Sequence, residues 1–582
     1  MRQRLITTGL ALLAPFAVFA QDAADAVQPE TTISINAKAS GRPVTAQDWM
    51  VVAANPLASQ AGAKVLERGG TAADAMIAVQ TVLGLVEPQS SGLGGGAFLV
   101  WYDAKSGALT TLDGRETAPA AVTPRLFQDE NGETLKFFDA VVGGRSVGVP
   151  GTPALMEKAH QKWGSQKWDS LFEDGIALAT EGFSVSARLA GMIERDADRL
   201  VRFGGTAAYF YPTGIPLKEG QTLRNPEYAA TLRDLAENRT VNFYGGQIAR
   251  DIVHAVQTAS GNPGVLAMRD MASYQVKERA PVCASYREHE VCGMGPPSSG
   301  ALTVGQILGM LDKYDLDALG PDNVQSWRLI ADASRLAFAD RGRYMADSDF
   351  VPVPVKGLID PEYLALRAEA LDGGLALESV MAGMPAFDHA MIWADDESLE
   401  LPSTSHISIV DSYGNALSMT TTIENAFGSR LMVNGFLLNN ELTDFSFRTH
   451  KDGVPIANAI APGKRPRSSM APTIVLKDGK PVLVVGSPGG SRIIGYVAKT
   501  IIAHLDWGMD AQQAVSLAHG VNRFGTFDLE AGSAMEALAP DLEALGYKVN
   551  MRDLNSGLHV IAIGDNLQGG ADPRREGVAL GE

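Results

Sequence analysis

Leu401-Pro402-Ser403-Thr404-Ser405-His406-Ile407-Ser408-Ile409-Val410-Asp411 leads into the turn Asp411-Ser412-Tyr413-Gly414-Asn415 and returns from Ala416 to Ile423. Both arms alternate with a period of two, so the stretch reads as a β-hairpin. With Asp411 across from Asn415, the register carries on to set Thr422 opposite Thr404, and a slip of one residue would send it to the other face. If the bond between Ser403 and Thr404 is cut, Thr404 carries a free amine beside its hydroxyl, a nucleophile with its own base. A hydroxyl-rich edge strand without chemistry is the competing reading of the same residues.

A second hairpin, Thr473 to Leu476 and Val482 to Gly486, turns at Lys477-Asp478-Gly479-Lys480. It ends in Ser487-Pro488-Gly489-Gly490-Ser491, ahead of a helical run from Arg492 to His504. Glycines between a strand end and a helix N-terminus leave backbone N–H groups for a developing oxyanion, although a plain turn looks the same. Upstream, Met50 to Ala54 reads as a strand, and Leu57 to Glu67 and Thr71 to Leu85 as helices parted by Gly69-Gly70. The glycines of Pro88 to Gly96 mark close backbone approach, and no Gly-Lys-Ser/Thr follows to make a phosphate loop. Strands at Ala97 to Tyr102 and Leu109 to Asp113 lead to Gly114-Arg115-Glu116. An Arg just past a strand end suits a carboxylate clamp, or equally a surface ion pair. Residues 150–260 are mostly helical, and Ala301 to Leu311 and Asn323 to Met345 are further helices.

With 45% hydrophobic and 20% charged residues among 582, the chain is of ordinary globular composition. Its 49 basic and 67 acidic residues give −18, which argues against nucleic acid or an anionic membrane as partner. Arg2 and Arg4, an uncharged apolar run to Val18, and Val18-Phe19-Ala20 read as a secretory signal over 1–20, with periplasmic or secreted localisation. Residues 21–45 lack sustained periodicity and read as a flexible leader. Cys283 and Cys292 are either a local disulfide across a hairpin or two free buried thiols. No metal-ligand spacing occurs, so neither metal nor other cofactor is expected.

Eight collinear motifs closely resemble the γ-glutamyltransferase family, the glutathione hydrolases. They are Gly92-Leu93-Gly94-Gly95-Gly96, Asp113-Gly114-Arg115-Glu116, Pro296-Pro297-Ser298-Ser299-Gly300, Thr404-Ser405-His406, Leu437-Leu438-Asn439-Asn440-Glu441, Asp444-Phe445-Ser446, Arg465-Pro466-Arg467-Ser468-Ser469-Met470 and Gly486-Ser487-Pro488-Gly489-Gly490-Ser491-Arg492. The resemblance implies an α+β, four-layer αββα sandwich of the N-terminal-nucleophile hydrolase type. It also implies a proenzyme that cuts itself between Ser403 and Thr404 into a large subunit, 46–403 after the leader, and a small subunit, 404–582. These fragments would stay together as a heterodimer sharing one core. By the same resemblance Thr404 is the nucleophile and Thr422 supports its hydroxyl, while Gly489 and Gly490 supply the oxyanion donors. Arg115, Ser468 and Ser469 would hold the α-carboxylate of a γ-glutamyl group, and Glu441 and Asp444 its α-amine. The expected activity is γ-glutamyl transfer from small molecules such as glutathione to water or an amine.

Three departures bear on substrate. Glu424 stands where the family commonly has Asn, Thr443 replaces an acidic residue before Asp444, and the Phe447 to Arg467 segment is short, with no obvious lid Tyr. Glu424 adds negative charge close to the substrate, which favours a glutaryl- or cephalosporin-type acylase as the alternative. A non-catalytic periplasmic binding paralogue is the remaining reading.

Overall fold

The computed structural model describes residues 29–389, 392–396, 398 and 403–582. Two seven-stranded sheets face each other between two helical layers. One sheet runs, in spatial order, Val578–Gly581, Met50–Ala53, Ser405–Val410, Ala416–Thr422, Gly96–Asp103, Ala108–Gly114 and Lys277–Arg279. The other runs Val44–Ala46, Leu567–Ala571, His559–Ile563, Lys480–Gly486, Thr473–Lys477, His289–Gly293 and Val282–Tyr286. Residues before and after position 403 contribute strands to both sheets, so the expected cut would not divide the core.

Strand alternation builds the layers. Val51, Ala53, Ile407 and Ile409 join the outer core formed with the helices Pro56–Glu67 and Ala72–Val86. Met50, Val52 and Val410 point the other way and pack with Ile474, Val484 and Ile561 between the sheets. Val475, Leu483, Val485 and Val560 turn outward again, beneath Gly300–Leu311, Val324–Tyr344 and Ile493–Leu505. Each fully buried aliphatic side chain is worth about 1.5–3 kcal/mol, and a slip of one residue would exchange the two faces of a strand. Register is therefore held by the whole core.

The first hairpin forms in the expected register, with Ser405 opposite Thr421 and Val410 opposite Ala416. In the second, a bulge between Val475 and Leu476 shifts the pairing, and the return strand begins at Lys480 rather than Val482. Cys283 and Cys292 lie opposite each other on adjacent strands, their Cα atoms 4.0 Å apart, and are joined as a disulfide.

The flexible leader expected over 21–45 is corrected from residue 29 onward. Pro29–Ala39 is a helix in which Thr31 and Ser34 are buried. Gln60 Nε2 donates to Thr31 Oγ1 at 2.9 Å, and Lys38 Nζ donates to the carbonyls of Arg575 (3.0 Å) and Gly577 (2.6 Å). Val44–Ala46 is an edge strand on Leu567–Ala571. The helix has little apolar face and is fastened by side-chain bonds to distant backbone, which hydrophobic periodicity does not register. The signal segment 1–20 lies outside the described residues. No described helix is long and apolar enough to cross a membrane.

Candidate functional site

Thr404 immediately precedes the Ser405–Val410 strand and is buried. Its Oγ1 donates to the Ser403 carbonyl oxygen and lies 3.3 Å from Thr422 Oγ1. Thr422 Oγ1 also donates to Ser403 O at 3.2 Å and accepts the Glu424 N–H at 2.8 Å. The hairpin register thus converges two hydroxyls on one carbonyl. Arg575 Nη1 holds the Thr404 carbonyl at 2.9 Å, and Ser403 Oγ donates to Gln89 O at 2.7 Å. Burial lowers the Arg575 pKa to about 9.

The glycine loop before Gly96 owes its composition to this strand end. A Cβ on Gly95 would sit 1.9 Å from Thr422 O, and one on Gly94 2.1 Å from Leu437 O. Asn439 completes the seam, its N–H and its Nδ2 both donating to Gly94 O, at 3.0 and 2.8 Å.

Arg115 follows the strand Ala108–Gly114 and is 1% exposed. Its guanidinium bonds Glu441, Asp444 Oδ2 at 2.5 Å, and the carbonyls of Pro466 (3.2 Å) and Arg467 (2.7 Å). Burial opposes its charge, but Glu441, Asp444 and Glu116 outweigh this and raise its pKa. Glu441 and Asp444 come from one helical turn, Glu441–Asp444. The residues expected to clasp opposite ends of an amino acid here clasp one another. Glu116 and Glu424 are pushed well above the ordinary carboxyl range, first by burial; Glu441 then acts on Glu116, and Asp444 and Glu441 on Glu424.

Ser468 and Ser469 adjoin this cluster. Ser299 donates to Ser468 O from its N–H at 2.8 Å and from its hydroxyl at 2.7 Å. Arg341 reaches Ser299 Oγ at 2.8 Å and Ser469 Oγ at 2.7 Å. After the Lys480–Gly486 strand, Gly489 and Gly490 have φ of +143° and +58°, left-handed values that glycine adopts readily.

A cavity of about 20 Å³, the room of a single water molecule, is bounded by Arg115, Ser403, Thr404, Thr422, Glu424, Glu441, Asp444, Ser468, Ser469 and Gly490, with Met470 and Ile493. Of the expected site residues, Gly489 does not line it. Ser299, Arg341, Asn440 and Arg575 were given no role by sequence reasoning. Ser299, Asn440 and Arg341 stood in stretches already named, but they bond other residues of the cavity wall, which no spacing reveals. A separate cavity of about 320 Å³ includes Asp396, Phe447, Arg448 and Lys451 in its walls. Asn458 Nδ2 links it to the site, donating to Asp396 Oδ2 at 3.2 Å and Asp444 O at 2.7 Å.

The described geometry agrees with known proteins along almost the whole chain. The gamma-glutamyltranspeptidase family model matches residues 58–582. The chain belongs to the gamma-glutamyltranspeptidase family. It is 38% identical over 551 residues to the glutathione hydrolase proenzyme of Bacillus subtilis, covering 92% of each chain. The glutathione hydrolase proenzyme of Escherichia coli is 35% identical over 551 residues, with 91% of each covered. Among solved structures, cephalosporin acylase from Bacillus halodurans superposes with a TM-score of 0.82 at 25% identity, covering 93% of this chain and 97% of that one. Membership in this family accounts for the αββα layers, built as an N-terminal-nucleophile hydrolase.

Proposed function

We propose that this family member is an exported proenzyme that cuts itself before Thr404 and then hydrolyses or transfers γ-glutamyl groups of glutathione-like amides. The observation that carries the reading is the pair of hydroxyls, Thr404 and Thr422, bonded to the carbonyl oxygen of the bond to be cut. Thr404 Oγ1 attacks the Ser403 carbonyl carbon, the peptide nitrogen leaves as the new α-amine of Thr404, and water resolves the resulting ester. The freed amine, with a reference pKa of about 7.7–8.0, is partly neutral near pH 7 and takes the hydroxyl proton in later turnovers. Thr404 then attacks the γ-carbonyl of the donor, the amine leaves, and water or an amino acid resolves the γ-glutamyl ester in a ping-pong cycle.

Gly489 and Gly490 are assigned to the oxyanion, with Gly490 at the cavity wall. Arg115, Ser468 and Ser469 take the α-carboxylate, and Glu441 and Asp444 the α-amine. A glutamyl group needs far more room than one water, so donor entry requires the Arg115–Glu441–Asp444 cluster to part. The products, 21–403 and 404–582, remain a heterodimer through their shared sheets. An acylase of the same fold is the second reading, supported by the likeness to cephalosporin acylase.

The test is a denaturing gel of purified protein with γ-glutamyl anilide turnover. Wild type is expected as two pieces with activity and Thr404→Ala as one piece without it. A single inactive wild-type chain would favour a binding protein, and preference for glutaryl anilide would favour the acylase.

A further inference from the structure

The backbone of Thr404 is held from outside its own hairpin. The ladder with the return strand starts at Ser405, opposite Thr421, so Thr404 stands one residue beyond it. Cutting the bond before Thr404 makes it a chain terminus, and terminal residues fray unless they are tied down. Its hydroxyl lies 3.3 Å from Thr422 Oγ1, and its carbonyl is tied by Arg575 Nη1 at 2.9 Å. Arg575 is buried, and its Nε donates to Asn555 Oδ1 at 3.1 Å. A Cβ on Gly557 would lie 2.6 Å from Pro488 Cγ and 2.8 Å from Arg575 Cδ. That glycine lets the arginine stem run close to the residue that precedes Gly489 and Gly490.

Arg575 sits on a turn that is fixed at both ends. At the start, the Asp572 carboxylate accepts the N–H groups of Leu558 (3.0 Å) and Arg574 (2.9 Å), and the Arg575 N–H donates to Asp572 O at 3.3 Å. At the end, the donor comes from the opposite end of the chain. Lys38 Nζ donates to the carbonyls of Arg575 (3.0 Å) and Gly577 (2.6 Å). Lys38 lies in the last turn of the helix Pro29–Ala39, which packs on the strand Val578–Gly581 and is bonded a second time where Gln60 meets Thr31. An ammonium shared by two carbonyls fixes the peptide planes that leave Arg575 and Gly577, and charged donors make the stronger hydrogen bonds. The direction in which the Arg575 side chain sets out is fixed with them. We infer that Lys38 is a positioning residue for the nucleophile: by holding the 575–577 turn it keeps the Arg575 guanidinium on the Thr404 carbonyl. Docking of the N-terminal helix therefore sets the geometry in which Thr404 cuts the bond before it and later turns over. The inference rests on the self-cleaving γ-glutamyl reading above and adds a residue, far from the cavity, on which both reactions depend.

The experiment takes the full chain as wild type, Lys38→Met, Lys38→Gln, Lys38→Arg and Thr31→Val. It follows cleavage before Thr404 on a denaturing gel, kcat and KM for γ-glutamyl-4-nitroanilide, and Tm. Two neutral variants at Lys38 guard against a folding defect peculiar to one side chain. Both are expected to slow cleavage and kcat about 10- to 100-fold, since a misplacement of about 1 Å can cost about 100-fold. KM should stay within about twofold, because the lost contact orients the nucleophile and does not bind the donor. Lys38→Arg keeps a charged donor and should restore both rates to within about threefold of wild type. Thr31→Val loosens the same helix without touching the turn, and should lower Tm while leaving both rates near wild type. Wild-type rates in Lys38→Met and Lys38→Gln would overturn the inference. So would losses in Thr31→Val as large as theirs, which would make the whole helix a structural support. Either result leaves the γ-glutamyl reading intact, whereas an uncut, inactive wild type would overturn that reading and the inference with it.

Discussion

Replacing Thr422 by Val removes one hydroxyl and keeps the shape of the side chain. In the uncut chain this deletes the Thr422 Oγ1 bond to Ser403 O (3.2 Å), the contact with Thr404 Oγ1 (3.3 Å) and the acceptor for the Glu424 N–H (2.8 Å). Leaving a buried N–H unsatisfied costs about 1–3 kcal/mol, set against a global stability of roughly 5–15 kcal/mol, so the protein should still fold. The rate effect is larger in consequence. Ser403 O gathers negative charge as Thr404 attacks, and removing one donor to such an oxygen slows acyl transfer about 100- to 1,000-fold. Freshly purified Thr422→Val should therefore remain a single chain over times in which wild type is fully cut, followed by denaturing gel and intact mass, while Thr422→Ser cleaves near the wild-type rate. Cleavage of Thr422→Val within about threefold of wild type, far inside the range expected for losing a donor, would refute the role given to the second hydroxyl.

Three further outcomes are expected. Gly489→Ala would place a Cβ 2.7 Å from Tyr496 Cε2 at φ +143°; it should lose about 1–3 kcal/mol in denaturant unfolding and slow anilide turnover more than it raises KM. Glu424 titrates above its ordinary 4.5, raised first by burial and then by Asp444 and Glu441. Above pH 4.5 the folded state keeps a proton that the unfolded chain has released, so this group's stability is lost as pH rises through the folded pKa. The Tm of Glu424→Gln should accordingly gain on wild type as pH rises from 4.5, and a pH-independent difference would contradict the burial. Replacing Cys283 and Cys292 by Ser opens a short loop worth at most about 3 kcal/mol; Tm should fall while kcat/KM stays within about twofold, because the disulfide joins a hairpin at the edge of one sheet and Thr404 leads into a strand of the other.

The pairing of Thr404 with Thr422 was legible because a hairpin is local. Once Asp411 and Asn415 close the turn, a period of two carries the register to Thr404 and Thr422 without further contacts. The glycine loop announced a close approach, but not that its neighbour would be the Thr422 carbonyl. The Pro29–Ala39 helix was missed because its anchors, Lys38 on the 575–577 turn and Thr31 on Gln60, join residues far apart in the chain.

From the sequence by itself, periodicity and turn chemistry determined the hairpins and the pairing of Thr404 with Thr422, and the collinear resemblance implied the αββα class and the candidate site residues. Tertiary structure decided which charges meet. Arg115 with Glu116, Glu424, and Glu441 with Asp444 come from three separate stretches of chain, and the distances between those stretches are set by how two sheets and their loops pack. Coulomb interaction and desolvation depend on those distances and on burial, neither of which is written in spacing along the chain. For that reason Glu424 reads in sequence as an isolated charge and in the folded protein as a buried carboxyl with Asp444 and Glu441 as its nearest charged neighbours.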